Sequence, residues 1–447
     1  MATNQGNNTR MYRIIICLLF PVSGIGQTGL LEKYLAIQQQ RMHFNGVVLV
    51  TKNNLVLHRV AIGNACYELE VPMRGEAVFK VASISKQFTA MLVVLAAREG
   101  KLRLEDSLAV FFPKLKSEVW RSISLHQLLT HTAGVPHNEG IKDYWLVKSL
   151  RPLTQEQALK EIFAMELLFK PGTNMKYSSP GYFLLACILE TVYKQPYAAI
   201  LEEKIIKPLP MKHTGVYVTG KMVNGMVAGY HLLGDSLIQA PGRDYSLMKG
   251  SGDLYSTAED LAKWNHSFSS MWNDSIQKLL FTAYTPAYGY GWYIRRGKRQ
   301  TYYHGGGTFG CSALSAWYPG EQLSIVILSN VSALPVNELW NDIEKIVFNE
   351  PFEMPETTTA ITLDTDTLQS FTGLYTQGSQ QLRITFLNGH LYAQLNNNPP
   401  FEIYPETPLK FFGKKVNVHL IFKKDTAGTI ISLEALRGGQ TLPFNKQ

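Results

Sequence analysis

A serine and a lysine stand three residues apart in Ser83-Ile84-Ser85-Lys86. They open a run, Ser83 to Arg98, with Ile84, Phe88, Met91, Leu92, Leu95 and Ala96 at helical spacing, and the run stops before Gly100. Residues one turn apart share one helical face, so the amine of Lys86 is placed to take the proton of the Ser83 hydroxyl. A serine hydroxyl is too weak a nucleophile at its free pKa, and it needs such an activator; a helix N-terminus also favours negative charge developing there. The spacing alone discriminates poorly, because Ser275-Ile276-Gln277-Lys278 repeats it. Two further segments single out the first copy. Tyr177-Ser178-Ser179-Pro180-Gly181-Tyr182 is a hydroxyl-rich loop directly before an apolar helix, and His304-Gly305-Gly306-Gly307-Thr308-Phe309-Gly310 precedes a strand. Its glycines let backbone N–H groups come close to a substrate. A phosphate loop is a poor reading of that run, since no Gly-Lys-Ser/Thr follows and a strand, not a helix, comes next.

The elements that must hold these segments follow from periodicity. Residues 44–62 alternate apolar and polar around Lys52-Asn53-Asn54, as a two-stranded hairpin does. Helical patterns occupy 154–167, 181–193 and 258–271, the last opening with the capping-box arrangement Ser256-Thr257-Ala258-Glu259. Strand patterns return at 288–294, 313–318 and 323–328, and an amphipathic helix covers 336–349. Strands, a helical middle, then strands and a helix predict an α/β (α+β) domain, a mixed antiparallel sheet flanked by helices with an inserted helical lobe. Glu353-Met354-Pro355-Glu356-Thr357-Thr358-Thr359 has linker composition, and beyond it come short alternating segments at 371–376, 381–387, 390–395, 401–405, 417–423 and 428–436. They predict a small C-terminal all-β barrel.

The chain has 447 residues, 45% hydrophobic and 17% charged, which is globular and long enough for two or three domains. The formal charge of +8 is scattered, so it speaks for solubility and against nucleic-acid binding. Arg13 precedes the apolar run Ile14 to Phe20 and the small residues Ser23 and Gly24. That pattern predicts a secretory signal peptide over 1–26, too short to span a membrane, and so a periplasmic or secreted protein. The mature chain would keep Cys66, Cys187 and Cys311, an odd and widely spaced set that is no disulfide framework. No Cys-x-x-Cys pair and no His-Glu-x-x-His occurs, so no metal or other cofactor is expected.

Taken together, Ser83-x-x-Lys86, Tyr177-x-Ser179 and His304-Gly305-Gly306 resemble the three ordered motifs of the serine β-lactamase and penicillin-binding-protein superfamily, in its class C-like branch. Phe79 to Ala82, Leu128 to Gly134, Gly252 to Thr257 and Tyr290-Gly291-Trp292 resemble recurrent segments of that family. The resemblance covers roughly 40–350 and implies a β-lactamase/transpeptidase-like domain over 27–352. A linker at 353–365 would join it to a lipocalin-like β domain over 366–447, which Phe371 to Tyr375 resembles. It also implies that Ser83 is acylated, that Lys86 assists its deprotonation, and that Tyr177 is general base and then proton donor. A phenol with an ordinary pKa near 10 plays the base only if cations such as Lys86 or His304 lower it. The backbone N–H groups of Ser83 and Gly307 would form the oxyanion hole, with Gly306, Ser179 and His304 at the substrate.

Two departures from the family pattern shape the expected function. His304-Gly305-Gly306 stands where many members have Lys-Thr-Gly, so a fixed cation is lost and carboxylate binding is in doubt. Ser179 stands where the family has Asn, and one hydroxyl cannot both donate and accept as an amide does. Both lean toward an exported esterase or D-amino-acid peptidase acting on a small molecule or short peptide, cell-wall-derived substrates included. A DD-carboxypeptidase, a weak β-lactamase, and a non-catalytic peptidoglycan or ligand binder are the alternatives. Tyr177 as a mere packing aromatic stays open, and His131 reads as a structural hydrogen bonder.

Overall fold

The computed structural model describes residues 24–233, 236–414, 416–437 and 440–447, with side chains from residue 29 onward. The expected signal peptide lies outside the described residues except for its last three, which fall in the helix Gly24–Met42. No helix among the described residues is long and apolar enough to cross a membrane.

Asn53 and Asn54 both adopt positive φ, 50° and 63°, the backbone that a two-residue hairpin turn demands. They join the strands Gly46–Lys52 and Leu55–Ile62. This hairpin is one edge of a six-stranded antiparallel sheet, because Gly46–Lys52 pairs in register with Leu323–Ser329 from the far end of the domain. Cys311–Tyr318, Thr301–Thr308 and Tyr293–Arg295 complete the order toward the other edge.

Alternation along the strands separates two cores. Val47, Leu49, Val326 and Leu328 point into the helical lobe with Phe88, Met91 and Trp264. Val48, Val50, Ile325 and Ile327 point to the opposite face, covered by Leu31, Tyr34 and Leu35 of Gly24–Met42 and by Leu339, Trp340 and Ile343 of Val336–Val347. The expected mixed domain with an inserted helical lobe is therefore what forms.

The strand expected at 288–294 is shorter. Only Tyr293–Arg295 joins the sheet, because Gly291 takes φ +77° and the 288–292 segment folds inward, burying Tyr288, Tyr290 and Trp292. After residues 351–364, which form no helix or strand, the chain closes an eight-stranded antiparallel barrel from Gly373–Gln377 to Gln440–Lys446. Six of those strands match the periodic segments; Lys410–Gly413 and Gln440–Lys446 do not. The interior is filled by Phe371, Tyr375, Ile384, Phe411, Phe422 and Leu433. Arg41 on the helix Gly24–Met42 donates from Nη2 to the Gly413 carbonyl, 3.1 Å away, tying the barrel to the domain built on the six-stranded sheet.

Candidate active site

Ser83 occupies a short 3₁₀ turn, Ala82–Ile84, and the α-helix proper begins at Ser85, two residues later than the periodicity implies. The residue before the nucleophile, Ala82, is held at φ +46°. A non-glycine residue in that region costs roughly 1–3 kcal/mol and persists only where its surroundings over-determine it. Ser85 supplies the constraint: its Oγ donates to the Ala82 carbonyl at 2.6 Å and accepts from Leu254 N–H at 3.1 Å. The surrounding residues are buried and Ser83 is only half-buried, so its hydroxyl faces the cavity.

Lys86 is fully buried, and its Nζ lies 3.2 Å from Ser83 Oγ, 3.1 Å from Ser179 Oγ and 2.7 Å from the Ser251 carbonyl. No carboxylate forms an ion pair with it among the described residues, and burial pushes its pKa well below the usual lysine range against a smaller upward pull from Asp253. Asp253 is itself pushed up to about 7 by burial and accepts from Gly250 N–H at 2.9 Å. Burial thus favours the neutral amine, the form that acts as a base. Nζ donates to the Ser251 carbonyl and to Ser179 Oγ, and its third contact is the nucleophile.

Tyr177 lies against Lys86, whose Nζ is 4.7 Å from the ring centre. The buried phenol oxygen has no hydrogen-bond partner among the described residues, although Ser83 is near enough to pull its pKa down. Burial outweighs that pull and holds the phenol well above its ordinary value. The expectation that Lys86 and His304 lower it does not hold: burial sets the direction at Tyr177, and burial likewise disfavours the charged forms of Lys86 and His304. Tyr177 is in its protonated form a donor, not a resting base.

Two histidines set the loop that carries Tyr177. His131 Nδ1 accepts from Ser178 N–H at 3.1 Å and its ring packs 4.4 Å from the Tyr177 ring; His137 Nδ1 accepts from Ser179 N–H at 3.2 Å and meets Tyr177 edge-on. Burial lowers the pKa of both. Ser178 caps the helix Ser179–Tyr193 by accepting from Gly181 N–H, so Ser179 opens that helix with its hydroxyl on Lys86.

His304 is placed differently from a substrate-binding residue. It is 2% exposed. Its Nδ1 lies 2.6 Å from the Gly305 carbonyl, which only accepts, so Nδ1 carries the proton and Nε2 accepts from Tyr288 O–H at 3.1 Å. Burial first, and Lys86 second, lower it to about 3. Both ring nitrogens are occupied by the protein itself. Gly306 has a steric role: a Cβ there would sit 2.2 Å from the Val81 carbonyl, so its bare backbone lets the strand Thr301–Thr308 press against the nucleophile's turn. At Gly307 a Cβ meets nothing within 4 Å. Gly307 lines the same cavity as Ser83, and Ser83 N–H belongs to a helix's first turn, where donors have no intrahelical acceptor.

The structure thus brings Ser83, Lys86, Tyr177, Ser179 and Gly307 together and leaves His304 behind them. The decoy pair Ser275 and Lys278 is exposed on the helix Asp274–Phe281. Residues that the sequence reading did not assign are Ser251, whose contribution is a carbonyl that any residue type supplies, Tyr288, His137 and Arg243. Asp253 could be found only as part of the Gly252 to Thr257 segment. A larger cavity of about 620 Å³ lies between the helices Gly24–Met42 and Val336–Val347 and the barrel, and none of these residues lines it.

Residues 35–343 match the Beta-lactamase family. The chain belongs to this family. As a Beta-lactamase family member it is a serine hydrolase, with the mixed fold and the separate closed barrel described above. It is 25% identical over 432 residues to penicillin-binding protein 4* of Bacillus subtilis (strain 168), covering 88% of this chain and 94% of that protein. An octameric penicillin-binding-protein homologue from Pyrococcus abyssi superposes with a TM-score of 0.66 at 20% identity, over 94% of this chain and 98% of its own. The D-amino acid amidase of Ochrobactrum anthropi SV3 shares the fold over 72% of this chain and 97% of its own, with a TM-score of 0.62 at 20% identity.

Proposed function

We propose that this chain is an exported hydrolase that forms an acyl-enzyme on Ser83 and acts on esters or amides, D-amino-acid amides and peptides foremost. The observation that carries the reading is Lys86 Nζ, buried, with its pKa lowered, 3.2 Å from Ser83 Oγ. The neutral amine takes the Ser83 proton as Oγ bonds to the substrate carbonyl carbon. The negative charge on the carbonyl oxygen falls to the N–H groups of Ser83 and Gly307; one such donor is typically worth roughly 3–4 kcal/mol. As the carbonyl re-forms, the leaving oxygen or nitrogen departs with the proton of Tyr177, whose phenolate now stands beside an ammonium. Water then attacks the acyl carbon and gives its proton to Tyr177, and Ser83 leaves with the proton held on Lys86.

The absence of a lysine from the third motif, and the D-amino acid amidase that shares the fold, support an amidase or esterase over a β-lactamase. Export is supported by the Arg13 flank and apolar run alone. The test is intact-protein mass spectrometry after exposure to a fluorophosphonate, p-nitrophenyl esters, D-amino acid amides, a D-Ala-D-Ala peptide and nitrocefin, with turnover measured in parallel. A mass gain on the Ser83 peptide that Ser83→Ala abolishes is expected. Ligand retained with neither a mass gain nor turnover would show a binding protein instead.

A further inference from the structure

The cavity of about 100 Å³ that opens on Ser83 and Gly307 contains one arginine, Arg243. Its guanidinium is fixed on two sides. Nη1 donates to the Trp145 carbonyl at 2.6 Å and to Ser149 Oγ at 3.0 Å, and the Phe309 ring lies 4.4 Å beneath the guanidinium carbon. On the opposite edge Nε is buried without a hydrogen-bond partner, and among the described residues the hydrogen bonds of Arg243 run from Nη1 alone and it forms no ion pair. The remaining charged lining residue, Asp244, accepts from Ser246 N–H at 2.8 Å. The Nε–Nη2 edge presents two parallel N–H groups, the geometry that matches a carboxylate's two oxygens.

We infer that Arg243 is a specificity residue that binds a free carboxylate on the substrate. The inference rests on the hydrolase reading of Ser83 and names its substrate class. It also relocates a function: the third motif, His304-Gly305-Gly306, supplies no cation, while a loop more than fifty residues upstream places one in the same cavity. The carboxylate can sit on the leaving group, as at a peptide C-terminus, or on the acyl group, as in a dicarboxylic half-ester.

Paired substrates separate these sources. A D-Ala-D-Ala peptide is compared with its C-terminal amide, and mono-p-nitrophenyl glutarate with p-nitrophenyl valerate. In the wild type, kcat/KM is expected to favour the carboxylate member of at least one pair by about 10- to 100-fold, the range of one charge-assisted hydrogen-bond pair. Rising ionic strength should shrink that ratio. Arg243→Met should bring the ratio close to one, and Arg243→Lys should retain part of it, whatever either does to the rate common to both members. Ratios at or below one in the wild type, or a ratio that survives Arg243→Met, would overturn the inference. Turnover of the neutral members with Ser83 labelled would leave the hydrolase reading standing in that event; no turnover and no label overturns both.

Discussion

Lys86→Met should abolish turnover and yet change the stability of the folded protein at pH 7 by no more than about 2 kcal/mol. An amine with an unfolded pKa of about 10.4 that must surrender its proton on folding costs about 4–5 kcal/mol at pH 7. Methionine keeps most of the buried aliphatic stem and removes that cost. Against it stand the contacts Lys86 makes to Ser251 O and the two serine hydroxyls, about 1 kcal/mol each, and the Ser251 carbonyl left without a donor, about 1–3 kcal/mol. The balance lies near zero, within about 2 kcal/mol of either sign, where loss of a structurally required buried lysine would cost far more. The sign with pH is fixed. Between its lowered folded pKa and 10.4 the unfolded chain holds more protons at Lys86, so this residue makes wild-type stability rise from pH 7 to pH 9. Lys86→Met should lack that component. All seven tryptophans precede residue 353, so urea unfolding followed by tryptophan fluorescence reads the catalytic half without the barrel. A variant destabilised by more than about 3 kcal/mol, with an unaltered pH slope, would show that Lys86 is folded in as a cation and would refute its role as a base.

Tyr177→Phe should lower kcat by roughly 10²–10⁴ on amides, where the leaving nitrogen needs a proton, and far less on p-nitrophenyl esters, whose phenolate leaves unaided; steady-state kinetics on both substrates check this. The pH profile of kcat/KM should show no limb near the usual histidine value from His304, which is lowered to about 3, and an inflection near 6.5 that His304→Gln removes would contradict its being held neutral by burial. Gly306→Ala should destabilise the catalytic half by about 1–3 kcal/mol and cut acylation of Ser83, because the methyl group displaces Val81. Gly307→Ala meets open space, and should leave urea stability within about 1 kcal/mol of the wild type.

Much of the scaffold could be read from periodicity, because the hairpin at Asn53-Asn54, the paired strands and the helix Ser179–Tyr193 each declare a local rule. The missed barrel strands did not. Lys410–Gly413 has four residues, and Gln440–Lys446 carries Pro443, so each is recruited by barrel closure and not by its own pattern. The nucleophile and its base were legible from spacing joined to order along the chain. Their protonation states were not: whether Tyr177 and Lys86 hold protons depends on burial among residues that include His131 and Tyr288, which lie far from both in sequence. Arg243 was equally hidden, since nothing in an irregular loop announces which cavity it enters.

The hairpin strand Gly46–Lys52 waits for Leu323–Ser329, about 270 residues later, before its inner edge is covered. At roughly 5–20 residues per second of synthesis, that is a delay on the order of 15–55 s. Until then Val47 to Val50 are an apolar ribbon with an open row of backbone donors and acceptors, the surface that pairs with strangers. The nascent chain therefore carries its greatest hazard of clumping early and shields it late, and a chaperone that clasped this ribbon would be released by the arrival of the chain's own strand.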